Sequence, residues 1–209
     1  MIMDPVPEQK EGGYSDNKFY FTCSSIEEAM HLYTIARRNL LAVNNWRNIC
    51  DMRLSADFSL CDEHGKPVNR FPKENDFIRV DIPGPGRQEG EGYDWVQIEE
   101  IGNQTSLIQE KEICFIRVRP ASDPTSSVEE TAHFFTADAN SIFMVRRDHE
   151  KVTAEIHGRN EQPNTNTENK MDNIRNSITA NLAIAKFSDI QWKELCKAFI
   201  TYSSNVVRK

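Results

Sequence analysis

The stretch Asp76–Ile101, DFIRVDIPGPGRQEGEGYDWVQIEEI, sets the fold class. Ile78, Val80 and Ile82 alternate with Arg79 and Asp81; beyond a Pro/Gly break, Val96 and Ile98 alternate with Gln97 and Glu99. A period of two puts the apolar set on one face of a strand and the polar set on the other. Pro83, Gly84, Pro85 and Gly86 end the first strand, since proline donates nothing to a ladder and glycine allows a sharp reversal. Gly90 and Gly92 lengthen that reversal into a loop. Two half-dry strands do not hold together alone in water, so this stretch requires more strands or a helix on its dry face.

Toward the N-terminus the chain supplies both. Ala56–Asp62 (ADFSLCD) places Phe58 and Leu60 on one face of another strand, and His64 and Gly65 turn it. Ile26, Met30, Tyr33 and Arg37 form one helical row and Ala29, Leu32, Ala36 and Leu40 the next, predicting an amphipathic helix to about Val43. Ser24 and Ser25 each precede a glutamate by three residues, the capping-box spacing. Asn44 and Asn45 interrupt the helix, and Trp46 and Ile49 continue into a turn or short second helix. Phe19–Thr22 is a short β-prone run. Residues 1–17 are polar and read as a disordered tail, with one domain over 18–203 and a frayed end at 204–209.

Toward the C-terminus, Ile113–Arg119, Ala132–Thr136, Ser141–Arg147 and Lys151–Gly158 read as strands. Val152, Ala154 and Ile156 point inward in the last, and Asp148–Glu150 turns a hairpin before it. An apolar-free connector, 159–170, leads to a helix over Met171–Ala185 with Ile174, Ile178 and Leu182 at helical spacing. A second helix begins at Ser188. Gln191 closes its capping box, Phe187 and Trp192 form a hydrophobic staple, and Trp192, Leu195, Cys196 and Phe199 make the buried stripe.

Composition narrows the function classes. A chain of 209 residues with 38% apolar and 27% charged content is ordinary for a globular protein and needs no covalent staples. A net charge of −7 argues against nucleic acid or an anionic membrane as partner, because phosphate binding needs a positive field. The five cysteines are scattered with no CxxC pair, so neither a zinc site nor a disulfide scaffold is indicated; free thiols point to the reducing cytoplasm. No run approaches the ~20 apolar residues of a membrane span, and the N-terminus has no apolar core of a signal peptide.

Strands followed by helices predict an α+β domain with the helices on one side of the sheet. In this order the chain resembles the helix-grip superfamily of START-like, Bet v 1-like and polyketide-cyclase-like proteins, which implies a curved antiparallel sheet of about six to seven strands gripping a C-terminal helix, with one N-terminal helical segment. The resemblance is carried by CSSIEEAMHLYTIARRNL, Trp46, the strands including YDWVQIEEI, and the terminal helix, and covers about residues 19–201. It departs from the family in a break at Lys186–Ser188 and a long polar connector. IPGPG, GYDWV, GRNE and FSDIQWK resemble words of an uncharacterised bacterial family, which implies no activity. The superfamily resemblance implies an apolar cavity between sheet and helix for a hydrophobic small molecule or lipid. The ligand-facing set it implies is Ile82, Ile116, Met144 and Ile178, with Trp46, Trp95 or Arg159 near the mouth. A solid core accounts for the apolar residues equally well from periodicity alone.

Three other features have plainer readings. His157, Arg159 and Glu161 stand within five residues and offer acid–base or anion-binding chemistry, but they also fit a solvated strand end. The IPGPG loop has no helix after it and no P-loop or dinucleotide spacing, so no cofactor is implied. Glu99 and Glu100 are expected on opposite faces of a strand. The competing functions are a cyclase- or hydrolase-type enzyme using His157, Arg159 or Glu161, and a protein-interaction module without a small ligand. Oligomeric state is left open.

Overall fold

A computed structural model describes residues 2–50, 56–81, 93–127, 131–133, 135–162, 164 and 189–201. Its strands are β1 Gly13–Thr22, β2 Asp57–Cys61, β3 Phe77–Asp81, β4 Asp94–Ser106, β5 Lys111–Pro120, β6 Asn140–Asp148 and β7 Lys151–Glu161. They form one antiparallel seven-stranded sheet in the order β1-β7-β6-β5-β4-β3-β2, so first and last strands are neighbours. The sheet is curved and grips a C-terminal helix, α3, over 189–201. Helix α1 (Ile26–Leu41), a 3-10 turn (Val43–Asn45) and α2 (Trp46–Ile49) lie between β1 and β2. The predicted helix at Met171–Ala185, the staple residue Phe187, and the loop from Ile82 to Gly92 lie outside the described residues.

Local chemistry explains where α1 starts. The Ser25 hydroxyl accepts from the Glu28 N–H at 3.2 Å, and the Glu28 carboxylate accepts from both the N–H and the hydroxyl of Ser24, at 2.8 and 2.6 Å. The expected capping box is thus divided between two adjacent serines. From this cap α1 runs across β6 and its neighbours, burying Ala29, Tyr33, Ala36 and Leu40.

The helix-bearing inner face of the sheet holds the main core. Ile78, Val96, Ile98, Cys114, Ile116, Val118, Val152, Ala154 and Ile156 all point there, as their period-two spacing predicts. A bulge in β4 keeps this alignment. Ile98 faces Val118 and Glu100 faces Arg117, which leaves Glu99 as the extra residue and returns Ile101 to the inner face. The bulge also corrects the expectation for Glu99 and Glu100. Both carboxylates meet Arg117, at 3.5 and 2.7 Å, so they share the outer face.

The outer face carries two smaller apolar clusters. One is Ile113, Phe115, Ile142 and Met144, with Ile2 and Val6 packed on it. The N-terminal segment crosses this face in extended form. Met3 N–H donates to the Gln104 side chain at 3.0 Å, and Lys10 N–H to that of Asn160 at 2.8 Å. Regular structure begins at Gly13, five residues before the domain start read from the sequence. The other cluster is Cys61, Trp95 and Ala132, with Phe77 and Tyr93 beside it. Ala132–Thr136, expected as a strand, forms none among the described residues. Instead the Ala132 carbonyl accepts from Trp95 N–H at 2.8 Å, and Thr136 N–H donates to Gln162 at 2.9 Å.

Candidate functional site

Five aromatic rings meet on the inner face. Trp46 is fully buried, with ring centroids 4.8 Å from Phe143, 5.3 Å from Phe58 and 5.7 Å from Phe199. Trp192 joins from α3, 5.7 Å from Phe143 and 6.1 Å from Phe58. The sequence delivers these rings from four directions: β2, β6, α2 and α3. Two polar contacts fix α3 over them. Asn39 of α1 donates its side-chain amide to the Phe199 carbonyl at 2.9 Å, and Asn17 of β1 donates to the Asp189 carboxylate at 3.2 Å. Between these ends, the Cys196 thiol lies 3.6 Å from the Asn17 carbonyl, and burial pushes that thiol far above its ordinary range.

The residues expected to face a ligand divide between the two faces. Trp46 and Ile116 belong to the inner core. Met144 faces outward with Phe115, because Phe143 is the residue of β6 that pairs opposite inward-facing Ile156. Trp95 is buried on the outer face beside Cys61 and Ala132. Arg159 is also outward, and Ile82 and Ile178 lie outside the described residues. Phe143 was missed because β6 reads as a continuous apolar run, Ile142–Val145, with no period to choose a face. The rings of Phe58, Trp192 and Phe199 were legible as dry faces of their elements.

His157 and Arg159 take part in a charged chain across the outer face of β6, β7 and β1. Arg146 pairs with Glu155 at 2.7 Å; His157 Nε2 lies 2.9 Å from Glu155 and its Nδ1 2.5 Å from Asp16; Arg159 donates to Asp16 at 2.7 Å. Burial opposes protonation of His157, but hydrogen bonds and charge from Glu155 and Asp16 outweigh it and raise the imidazole above its ordinary range. A carboxylate at each ring nitrogen favours the protonated ring, a form with no free lone pair for base chemistry. The chain braces three strands rather than facing the interior. Asp16 went unnoticed in the sequence because it falls in the stretch read as tail.

Glu161 differs from its two neighbours. β1 and β7 pair Gly13 with Glu161 but Ser15 with Gly158, so β7 holds one extra residue there, and Asn160 takes a left-handed φ of 55°. This bulge turns the Glu161 carboxylate onto Gly158, where Ser15 Oγ donates to it at 3.1 Å. Burial pushes this carboxyl above its ordinary range, aided by the negative charge of Asp189. Among the described residues, no group of three His, Cys, Asp or Glu is arranged to hold a metal ion. Nor is any helix there long and apolar enough to cross a membrane.

No protein-family model matches the chain, and no curated protein matches it in sequence. Solved structures do match. A hypothetical protein from Helicobacter pylori superimposes over 97% of this chain and 99% of its own, with a TM-score of 0.53 at 9% identity. A protein from Thermus thermophilus covers 93% of this chain and 99% of its own, with a TM-score of 0.44 at 9% identity. Norcoclaurine synthase from Thalictrum flavum covers 99% of both chains, with a TM-score of 0.39 at 8% identity. The sheet order, the gripped terminal helix and the full-length superposition on the Helicobacter structure give this chain the helix-grip fold.

Proposed function

We propose that this domain binds a hydrophobic or amphipathic small molecule between the sheet and α3. The observation that carries this reading is the aromatic cluster of Trp46, Phe58, Phe143, Trp192 and Phe199 where α3 closes over the sheet. Ligand sites are mostly apolar with a few convergent polar groups, and these five rings bring together an apolar aromatic surface of that kind. Ile116 adds an aliphatic side chain to the same face. Trp46 offers a ring face rather than a hydrogen bond, since its N–H already donates to Leu40. Trp95, Met144 and Arg159 stand apart from this site on the outer face. Five free thiols, four of them buried, fit residence in the reducing cytoplasm.

Native mass spectrometry of freshly purified protein, with solvent extraction of the bound fraction, tests the reading. The expected result is an adduct that denaturation releases as a lipid, polyketide or other apolar molecule. An apo mass, together with no measurable uptake of alkyl probes, would overturn it.

A further inference from the structure

Beside α2 a groove of 560 Å³ opens toward the free edge of β2. That size falls within the ~300–1,000 Å³ of small-molecule sites. Asn44 builds one end of it. Its side-chain oxygen accepts from Leu60 N–H at 2.7 Å and its amide donates to the Val68 carbonyl at 2.7 Å, so it stands in for a strand's peptide group at the sheet edge. Beyond Asn44 the groove runs over Phe58.

The walls are polar without net charge. Arg47 is neutralised by Asp57 at 2.9 Å. Asn48 donates its amide to Asn45 at 3.2 Å, and its side-chain carbonyl makes no hydrogen bond among the described residues. The hydroxyl of Ser59 and the side-chain amide of Asn69 make no hydrogen bond among the described residues, and both line the groove. The floor is different in kind. Phe58 is 3% exposed, and its ring meets Trp46 and Trp192. One aromatic ring therefore separates a neutral hydrogen-bonding groove from the aromatic interior.

We infer that this groove seats the neutral, hydroxyl-bearing head group of an amphipathic ligand whose apolar tail passes Phe58 toward Trp46 and Trp192. The inference rests on the proposed interior site for the tail and adds the class of head group. Neutral hydroxyls match a wall of amide and hydroxyl donors and acceptors. A carboxylate, sulfate or ammonium would compete with the Arg47–Asp57 pair for one of its members and leave the other unpaired.

Three probes with the same tail separate the possibilities: n-octyl β-D-glucoside, octyl sulfate and octyltrimethylammonium, each titrated below its critical micelle concentration and followed by calorimetry. The glucoside is expected to bind about tenfold more tightly than either charged probe. Asn48→Ala and Asn69→Ala are each expected to weaken the glucoside about three- to tenfold, the effect of one lost hydrogen bond, and to leave the charged probes unmoved. Both side chains are exposed, so both variants are expected to keep the wild-type melting curve. Equal binding of all three heads, or a glucoside affinity untouched by both variants, would overturn the groove inference and leave the interior site standing. No binding by any octyl compound would overturn the interior site and the groove inference with it.

Discussion

The Nε1–H of Trp46 donates to the backbone carbonyl of Leu40 at 3.0 Å, six residues back along the chain. Leu40 lies in the last turn of α1, where carbonyls have no helical N–H to accept from. The indole thus satisfies a helix-end acceptor while its ring fills the centre of the inner core. Both roles end together in Trp46→Ala, which is expected to cost about 3–5 kcal/mol of unfolding free energy in urea titrations. Trp46→Phe keeps much of the ring but leaves the Leu40 carbonyl unpaired, and is expected to cost about 1–3 kcal/mol. A loss below about 1 kcal/mol in the alanine variant would show that the ring is not the hub of this core.

Gly102 and Phe115 face each other in the β4–β5 register, and a Cβ on Gly102 would overlap the Phe115 ring. Phe115 is buried in the outer cluster with Ile113, Ile142 and Met144 and has little room to retreat. Gly102→Ala is therefore an overpacking change expected to cost about 1–3 kcal/mol. The cost is specific to one ring, so it is expected to shrink in a Phe115→Leu background. A double-mutant cycle by thermal unfolding reads that coupling. Strict additivity of the two substitutions would rule out the contact as the cause.

How far the sequence was legible follows from how many faces each strand buries. Where one face is wet, as in Ile78–Val80, Val96–Ile98 and Val152–Ile156, alternation named the inner residues correctly. β6 lies mid-sheet, beneath α1 on one side and the Ile2–Val6 segment on the other, so Ile142–Val145 is apolar throughout and carries no parity. Gly13–Asn17 has no apolar alternation of its own and becomes strand only because β7 presents an edge to it. The outward turn of Glu100 and the inward turn of Glu161 both depend on bulges, which a one-residue register change creates and no periodicity announces. The groove beside α2 draws on three segments, around Asn44, Asp57 and Asn69, each of which alone reads as an ordinary polar turn or strand end.

His157 gives the protein a pH dependence on the alkaline side. Its folded pKa is raised above the ordinary 6.5 by the combined hold of Glu155 and Asp16, despite burial. A group raised in this way adds stability that is complete below its unfolded pKa and disappears as pH climbs through its folded value. Melting temperature is therefore expected to fall as pH rises above about 6.5, and His157→Gln is expected to flatten that slope. Asp16 works in the opposite sense. Burial tends to raise its carboxyl, but His157 and Arg159 lower it below the ordinary 3.8, so its contribution is present above that value and lost as pH falls through the folded pKa. An unchanged alkaline slope in the His157→Gln variant would place the titration elsewhere.

Glu161 is a carboxyl whose ionisation the fold resists. The β7 bulge turns it inward over Gly158, which has no Cβ to block the carboxylate. Burial raises its pKa above the ordinary 4.5; Asp189 and Asp16 add to the effect, and the Ser15 hydrogen bond and Arg159 only partly offset it. A carboxyl raised on folding stabilises the protein below its unfolded pKa, and that stability is lost as pH rises through the folded pKa. Glu161→Gln keeps an oxygen to accept from Ser15 and removes the charge. It is expected to melt higher than the wild type near neutral pH, with the advantage vanishing below about pH 4.5. Paired melting curves at about pH 4 and pH 8 decide the matter. If the glutamine variant is the less stable at pH 8, the negative charge is satisfied in the folded state, and Arg159 outweighs burial after all.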